Sequence, residues 1–179
     1  DLKLYRRYKN FLDRNSDYAL ARISEMARRC VPSQGVIDDL LIWMEGPEKS
    51  YHALTALDYF CKNGLEVDQL DEETQRKVAN SLLDSFFGET SSDDLMYGSA
   101  LEIIEMLDVR DGEVSTKSKE LVLSSLRGGS DEIRCRKLGE WLARDPGLRD
   151  ELIEGLEDIM DDAENDRVAK LCKSFIKSI

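Results

Sequence analysis

The sequence predicts an all-α fold, a right-handed α-solenoid of about five antiparallel helical hairpins, and three observations carry that reading. The first is a helix pattern that recurs. Ala19, Ala53, Ala100, Cys135 and Val168 each open a stretch with an apolar residue three or four places on, and Met26, Phe60, Leu107, Leu142 and Phe175 stand seven places on. The successive spacings are 34, 47, 35 and 33 residues, with a second amphipathic segment ahead of each copy. A two-helix unit of this length is the signature of a solenoid, because no unit can bury its apolar face alone. The second observation is composition: 179 residues at 41% hydrophobic content allow a sizeable core, and only three prolines interrupt them. The third is that Val and Ile are sparse relative to Leu, and alternation with a period of two is scarce.

The hairpins follow in order. The first pairs residues 2–14 with 16–30, where Ser16 is an N-cap candidate and Pro32 and Gly35 end the unit. The second pairs 36–45 with 47–62; Gly46 and Pro47 give a helix stop and a favoured first-turn residue in succession, and Gly64 closes the unit. The third pairs 71–87 with 93–107, and its longer connections over 64–70 and 88–92 account for the 47-residue spacing. Asp71 is a simple cap, since Thr74 and not Glu stands three places on. Ser91 or Ser92 caps the next helix, whose positive end Asp93 and Asp94 complement. The fourth pairs 115–127 with 131–144, separated by Gly128, Gly129 and Ser130. The fifth pairs 147–161 with 165–178.

The first helices share a second motif, a triplet at i, i+1 and i+4. Leu40, Leu41 and Met44 correspond to Leu82, Leu83 and Phe86, to Val122, Leu123 and Leu126, and to Leu152, Ile153 and Leu156. Each triplet is a narrow apolar stripe suited to packing on the following helix. No long linker divides the chain, so residues 1–179 read as a single helical-repeat domain. Asp1 is not an initiator Met, which points to a fragment of a longer chain.

A net charge of −12 opposes general nucleic-acid binding and attraction to anionic membranes. No apolar run approaches the roughly 20 residues that span a bilayer, and the N-terminus carries no signal-peptide core. Cys30, Cys61, Cys135 and Cys172 each fall within or at the end of a second helix, with no Cys-x-x-Cys pair. They read as buried, reduced thiols of a cytoplasmic or nuclear protein.

The stretch Met96-Tyr97-Gly98-Ser99-Ala100-Leu101-Glu102-Ile103-Ile104-Glu105-Met106-Leu107 resembles the inner helix of the HEAT and armadillo-like helical repeat superfamily. Ser50 through Phe60 is similar to a second copy, with Ala53, Leu54, Ala56 and Leu57 in matching places, and Asp131 ahead of Ile133-Arg134 matches the family's Asp and Val-Arg positions. The likeness covers essentially the whole chain. It departs from the family in the missing internal Pro of the first helices, in Gly139 at an aliphatic position and in the overlong third unit. The resemblance implies a curved stack whose second helices line the concave side and bind extended or helical partners.

Catalytic chemistry finds no constellation. The only histidine, His52, stands beside Tyr51 at the start of a core-like helix and reads first as a hydrogen-bonded structural residue. The acids Glu157, Asp158, Asp161, Asp162, Glu164 and Asp166 lack the spacing of a calcium loop and read as a solvated, charge-rich turn. Gly128-Gly129-Ser130 precedes a helix but has no preceding strand and no Lys-Ser pair, so it reads as helix punctuation and not as a phosphate cradle. Trp43 and Trp141 read as core anchors. No metal or cofactor is expected, and the chain is read as no enzyme.

Charge distribution says more. Residues 1–30 carry +4, residues 93–108 carry −5, residues 146–162 carry −6 and residues 164–179 carry +2. The expected function is a non-enzymatic protein–protein interaction module, an adaptor, scaffold or regulatory segment. It would bind a partner along the second-helix face or at an open end. Glu102 and Glu105 are the candidates for receiving a basic segment of the partner, and Tyr97 and His52 are candidate exposed contacts. Leu171, Phe175, Ile176 and Ile179 at one end, and Leu4, Tyr5, Tyr8, Phe11 and Leu12 at the other, form apolar stripes on which further repeats or a subunit would pack. Two alternatives remain open. One is a nucleic-acid-binding helical repeat using a basic track of Arg22, Arg28, Arg29, Arg134, Arg136, Lys137, Arg144, Lys170 and Lys173. The other is a compact helical bundle with a small-molecule pocket.

Overall fold

A computed structural model describes residues 34–45, 50–62, 70–87, 97–110, 112–130, 133–163 and 165–179, together with Lys3 and Arg22. Every regular element among the described residues is an α-helix. They are α1 (Gln34–Met44), α2 (Ser50–Lys62), α3 (Glu72–Phe86), α4 (Tyr97–Leu107), α5 (Gly112–Arg127), α6 (Ile133–Leu142), α7 (Pro146–Asp162) and α8 (Asp166–Ile176). The expected first hairpin, over 2–14 and 16–30, lies outside the described residues apart from Lys3 and Arg22, and so does the cap expected at Ser91 or Ser92. The remaining expected helices all have counterparts. The chain divides into two compact units, one containing α1 to α4 and the other α5 to α8.

In the first unit α1 packs on α2 and α3 on α4, while α1 also packs on α3 and α2 on α4. First helices thus meet first helices, and second helices meet second helices. The recurring apolar positions are what they bury: Ala53, Leu57 and Phe60 from α2, and Ala100, Ile104 and Leu107 from α4. The triplets of the first helices supply the other side. Leu40 and Met44 of α1 are buried with Leu82, Leu83 and Phe86 of α3, whereas Leu41 stays half-exposed. Each such side chain contributes about 1.5–3 kcal/mol on leaving water. Trp43, expected as a core anchor, is buried.

Local chemistry sets where α3 begins. Asp71 Oδ1 accepts from the Thr74 backbone N–H at 2.8 Å, and the Asp71 carbonyl accepts the first helical bond from Gln75 at 3.0 Å. The Thr74 N–H holds the Asp71 carboxyl below the usual carboxylate value, because it favours the charged acceptor.

In the second unit α5 packs on α6, α7 and α8, and α7 packs on α6 and α8. Val122 and Leu126 of α5, Leu138, Trp141 and Leu142 of α6, Leu152, Leu156 and Ile159 of α7, and Cys172 and Phe175 of α8 form its core. Two glycines mark close approaches. A Cβ on Gly139 would stand 2.4 Å from Phe175 Cζ, and one on Gly155 would stand 2.7 Å from Leu123 Cδ1. The glycine at a position where the repeat pattern wants an aliphatic residue is therefore the space into which the Phe175 ring fits. Phe175 is accordingly buried, while Leu171, Ile176 and Ile179 of the same stripe are half-buried.

The α5 terminus is a Schellman-type stop. Ser130 N–H donates to the Ser125 carbonyl at 3.0 Å and Gly129 N–H to Leu126 at 2.9 Å, with Gly129 at φ +72°. Asp145 caps α7 by accepting from Gly147 and Leu148 N–H at 2.8 and 3.1 Å, with Pro146 at the first helical position. Asn165 caps α8 in the same way through Arg167 N–H at 2.9 Å.

Candidate functional site

The helical period alone splits α2 into two faces. Ala53, Ala56, Leu57 and Phe60 turn inward, which leaves Tyr51, Thr55, Asp58 and Lys62 at i, i+4, i+7 and i+11 on the outer side. Tyr51 is 48% exposed. Its neighbour His52 is half-buried, with the two rings 5.3 Å apart and at 82° to each other. The edge-to-face pair holds both rings at the first turn of α2. Thr55 Oγ1 donates to the Tyr51 carbonyl at 2.8 Å and so shields that end of the stripe.

On α4 the same period buries Ala100, Ile103, Ile104 and Leu107, leaving Gly98, Glu102, Glu105 and Met106 outward. Tyr97 opens the helix half-buried, Glu102 is exposed, Glu105 is half-buried, and Met106 is 43% exposed. All four residues expected to contact a partner thus lie on two helices that pack against each other.

One side chain ties those helices at the surface. Lys62 Nζ lies 2.9 Å from Asp58 Oδ1 one turn back on α2 and 3.5 Å from Glu102 Oε2 on α4. Its hydrogen bond to Asp58 comes first, with the charges of Asp58 and Glu102 behind it, and together they raise the ammonium above its ordinary value. Glu102 is therefore shared with a cation that is itself more than half exposed, and the pair contributes little to stability. Tyr51, Met106 and Lys62 were not among the expected contacts. The helical period puts each of them on the side away from the buried positions, but it does not say which turn of that side stays in water.

Cys61, immediately before Lys62, is buried. Burial first and the Asp58 charge second push its thiol up to about 12, with Lys62 pulling it part of the way back. It is an inert core residue. Cys135 and Cys172 are likewise free and buried; Cys30 lies outside the described residues.

The second unit holds a cavity of about 500 Å³ between the α5 stop and the α7–α8 turn, edged by Arg127, Gly129, Asp162, Asn165 and Arg167 over Ile159 and Val168. The Gly128-Gly129-Ser130 turn contributes no free donor to it, since all three N–H groups go to carbonyls of α5. Trp141, the other expected anchor, is fully buried in this unit. The Arg110 guanidinium lies over its ring at 5.5 Å, and Asp108 Oδ1 is 2.9 Å from Arg110 Nε at an angle poor for a hydrogen bond. Asp108 adopts φ 49°, the left-handed conformation that Asp tolerates better than most residues.

The basic track considered from the sequence keeps exposed members at Arg22, Lys137, Arg144, Lys170 and Lys173. Arg134 is buried, Lys137 pairs with Glu140 at 2.7 Å, and Arg136 lies 5.8 Å over the Phe175 ring. Lys170 and Lys173 are exposed on α8, while Arg28 and Arg29 lie outside the described residues. Among the described residues no group of three His, Cys, Asp or Glu side chains gathers as metal ligands. No described helix is long and apolar enough to cross a membrane. Comparison with family models, with curated proteins and with solved structures finds no match for this chain.

Proposed function

We propose that the chain is a non-enzymatic protein–protein interaction module that receives a basic segment of its partner across the outer sides of α2 and α4. The fold we read behind it is a right-handed stack of antiparallel hairpins of the HEAT and armadillo kind. The packing of α1 on α3 and of α2 on α4 supports that reading, since like-on-like contact is what stacked two-helix units make.

The observation that carries the functional reading is the mixed chemistry of the α2–α4 surface. Tyr51 and Met106 are exposed apolar anchors, and Asp58, Glu102 and Glu105 stand between them on adjoining helices. Acids speed the encounter with a cationic segment and select it, while the aromatic and thioether groups supply most of the affinity. The more acidic α7 lacks the second half of this pair. Its exposed positions are occupied by acids, Arg149, Pro146 and Gly147, with no large apolar group.

The test is a fluorescence-anisotropy titration with a labelled 15-residue peptide alternating Lys with Leu, beside its Glu-for-Lys counterpart. The Lys peptide should bind and the Glu peptide should not. Glu102→Lys with Glu105→Lys should weaken binding about tenfold or more, and Tyr51→Ala should weaken it with little change in salt dependence. Equal binding of both peptides, or a double variant that binds like the unaltered chain, would refute the assignment.

A further inference from the structure

The second unit carries two rows of opposite charge on helices that touch. On α8 and its C-cap, Arg167, Lys170, Lys173 and Lys177 are all exposed and recur every three or four residues, opposite the buried Cys172 and Phe175. On α7, Asp150, Glu154, Glu157, Asp158 and Asp161 are all exposed, opposite the buried Leu152, Leu156 and Ile159. The two helices pack on each other, yet among the described residues none of these nine side chains forms an ion pair. The acid of α7 that does find a cation is Glu151, and it turns the other way, to Lys119 of α5 at 2.6 Å.

A partner that covers both helices meets both rows. A polyanion attracted to α8 meets the acids of α7, and a polycation attracted to α7 meets the cations of α8. A second copy of the chain satisfies both. A two-fold axis running between the copies and parallel to the helices sets α8 of one over α7 of the other, and the reverse match follows by symmetry. The rows agree in length as well. Arg167 to Lys177 rises about 15 Å and Asp150 to Asp161 about 16.5 Å, at the helical rise per residue.

We propose that the paired α7 and α8 surfaces form the isologous interface of a homodimer, with the basic row of each copy seated on the acidic row of the other. The overall charge of −12 opposes approach at long range. That repulsion is screened beyond about 8 Å at physiological ionic strength, whereas pairs in contact across the interface keep more of their attraction. The half-buried Ile153, Met160, Leu171 and Ile176 flank the charged rows and supply apolar margin. This surface is independent of the α2–α4 face, and neither reading depends on the other.

Sedimentation velocity of the whole chain at 0.15 M salt, over a range of micromolar concentrations, tests it with two double variants. Lys170→Glu with Lys173→Glu, the acidic variant, cancels the α8 row at two cations against two acids, and Glu157→Lys with Asp161→Lys, the basic variant, leaves the α7 row at three acids against two cations. The unaltered chain should reach a dimer, each double variant alone should dissociate at least tenfold more readily, and an equimolar mixture of the two should recover a one-to-one dimer. A control variant, Glu113→Lys with Glu120→Lys on α5, should neither lose self-association nor rescue the acidic variant. A monomeric unaltered chain, a dimer indifferent to either reversal, or a mixture that fails to pair would each overturn the proposal. Circular dichroism of every variant confirms that the helices persist, so loss of the dimer cannot be mistaken for loss of the fold.

Discussion

Replacing Gly139 by Ala adds one methyl group at the tightest point of the second unit. The new Cβ would lie 2.4 Å from Phe175 Cζ, 3.0 Å from Cε1 and 3.4 Å from Val122 Cγ1. Ordinary carbon contacts need roughly 3.5–4.0 Å, so the ring must retreat by more than about 1 Å. Phe175 is 1% exposed with Arg136 over its ring, so the rigid ring has little room into which to retreat. Overpacking of this kind costs about 1–3 kcal/mol, against which Ala returns roughly 0.5–1 kcal/mol of helix propensity. The expected net loss is about 1–2 kcal/mol, or a fall in Tm of some 2–8 °C for a chain of this size. Gly155→Ala is the internal comparison, because its Cβ would meet the flexible end of the half-buried Leu123 at 2.7 Å. That side chain can rotate away, and the propensity gain then leaves stability within about 0.5 kcal/mol of the original or above it. Urea titrations followed by helical circular dichroism and by tryptophan fluorescence, with Trp43→Phe as background so that Trp141 alone reports, give both numbers, read as a shift in midpoint at constant slope. Gly139→Ala equal to or more stable than the parent would refute the packing argument.

Three further outcomes follow from groups already described. In the folded chain Cys61, Cys135 and Cys172 should resist iodoacetamide at pH 8 and label readily in urea, with mass spectrometry assigning the sites. Cys61 should be slowest, since a thiol pushed up to about 12 is ionised to about one part in ten thousand at that pH. Asp71 has its folded pKa lowered, so its contribution is present above the unfolded value near 3.9 and disappears as pH falls through the folded value. The stability difference between the parent and Asp71→Asn should therefore shrink from pH 6 to pH 3; a difference that stays constant would contradict the capping argument. Lys62→Ala frees Glu102 and Asp58 together, and should raise affinity for the Lys-Leu peptide by a factor of about two to five, the worth of an exposed pair. Unchanged or weaker binding in the same anisotropy titration would show that Lys62 does not compete with the partner.

The helices were legible because apolar spacing is a local signal. The expected spans 36–45 and 147–161 differ from Gln34–Met44 and Pro146–Asp162 by a residue or two, as helix ends usually do. The i and i+4 members of each first-helix triplet are buried in α1, α3, α5 and α7, whereas the middle member is buried only as Leu83. That difference depends on neighbours the periodicity does not name. Helix α5 begins at Gly112, earlier than the expected 115, and the Ser115 and Thr116 hydroxyls both donate to the Gly112 carbonyl in that first turn. Gly139 looked like a departure from the repeat, and its reason is a ring 36 positions away in sequence. Arg134, a candidate for the basic track of the nucleic-acid alternative, is buried, since a charge pattern says nothing about which side of α6 meets the core. Of the candidate face, the acids Glu102 and Glu105 were named from charge alone. Tyr51 and Met106 required knowing which turn of each helix stays in water.

The assignment of the α2–α4 face is tested most directly by amide chemical-shift mapping of the chain titrated with the Lys-Leu peptide. The perturbed amides should cluster on α2 around Tyr51, Asp58 and Lys62 and on α4 around Glu102, Glu105 and Met106, and should largely vanish in Glu102→Lys with Glu105→Lys. Perturbations confined to α7, which carries the larger net negative charge but no exposed apolar anchor, would show that charge alone chooses the site and would contradict the account.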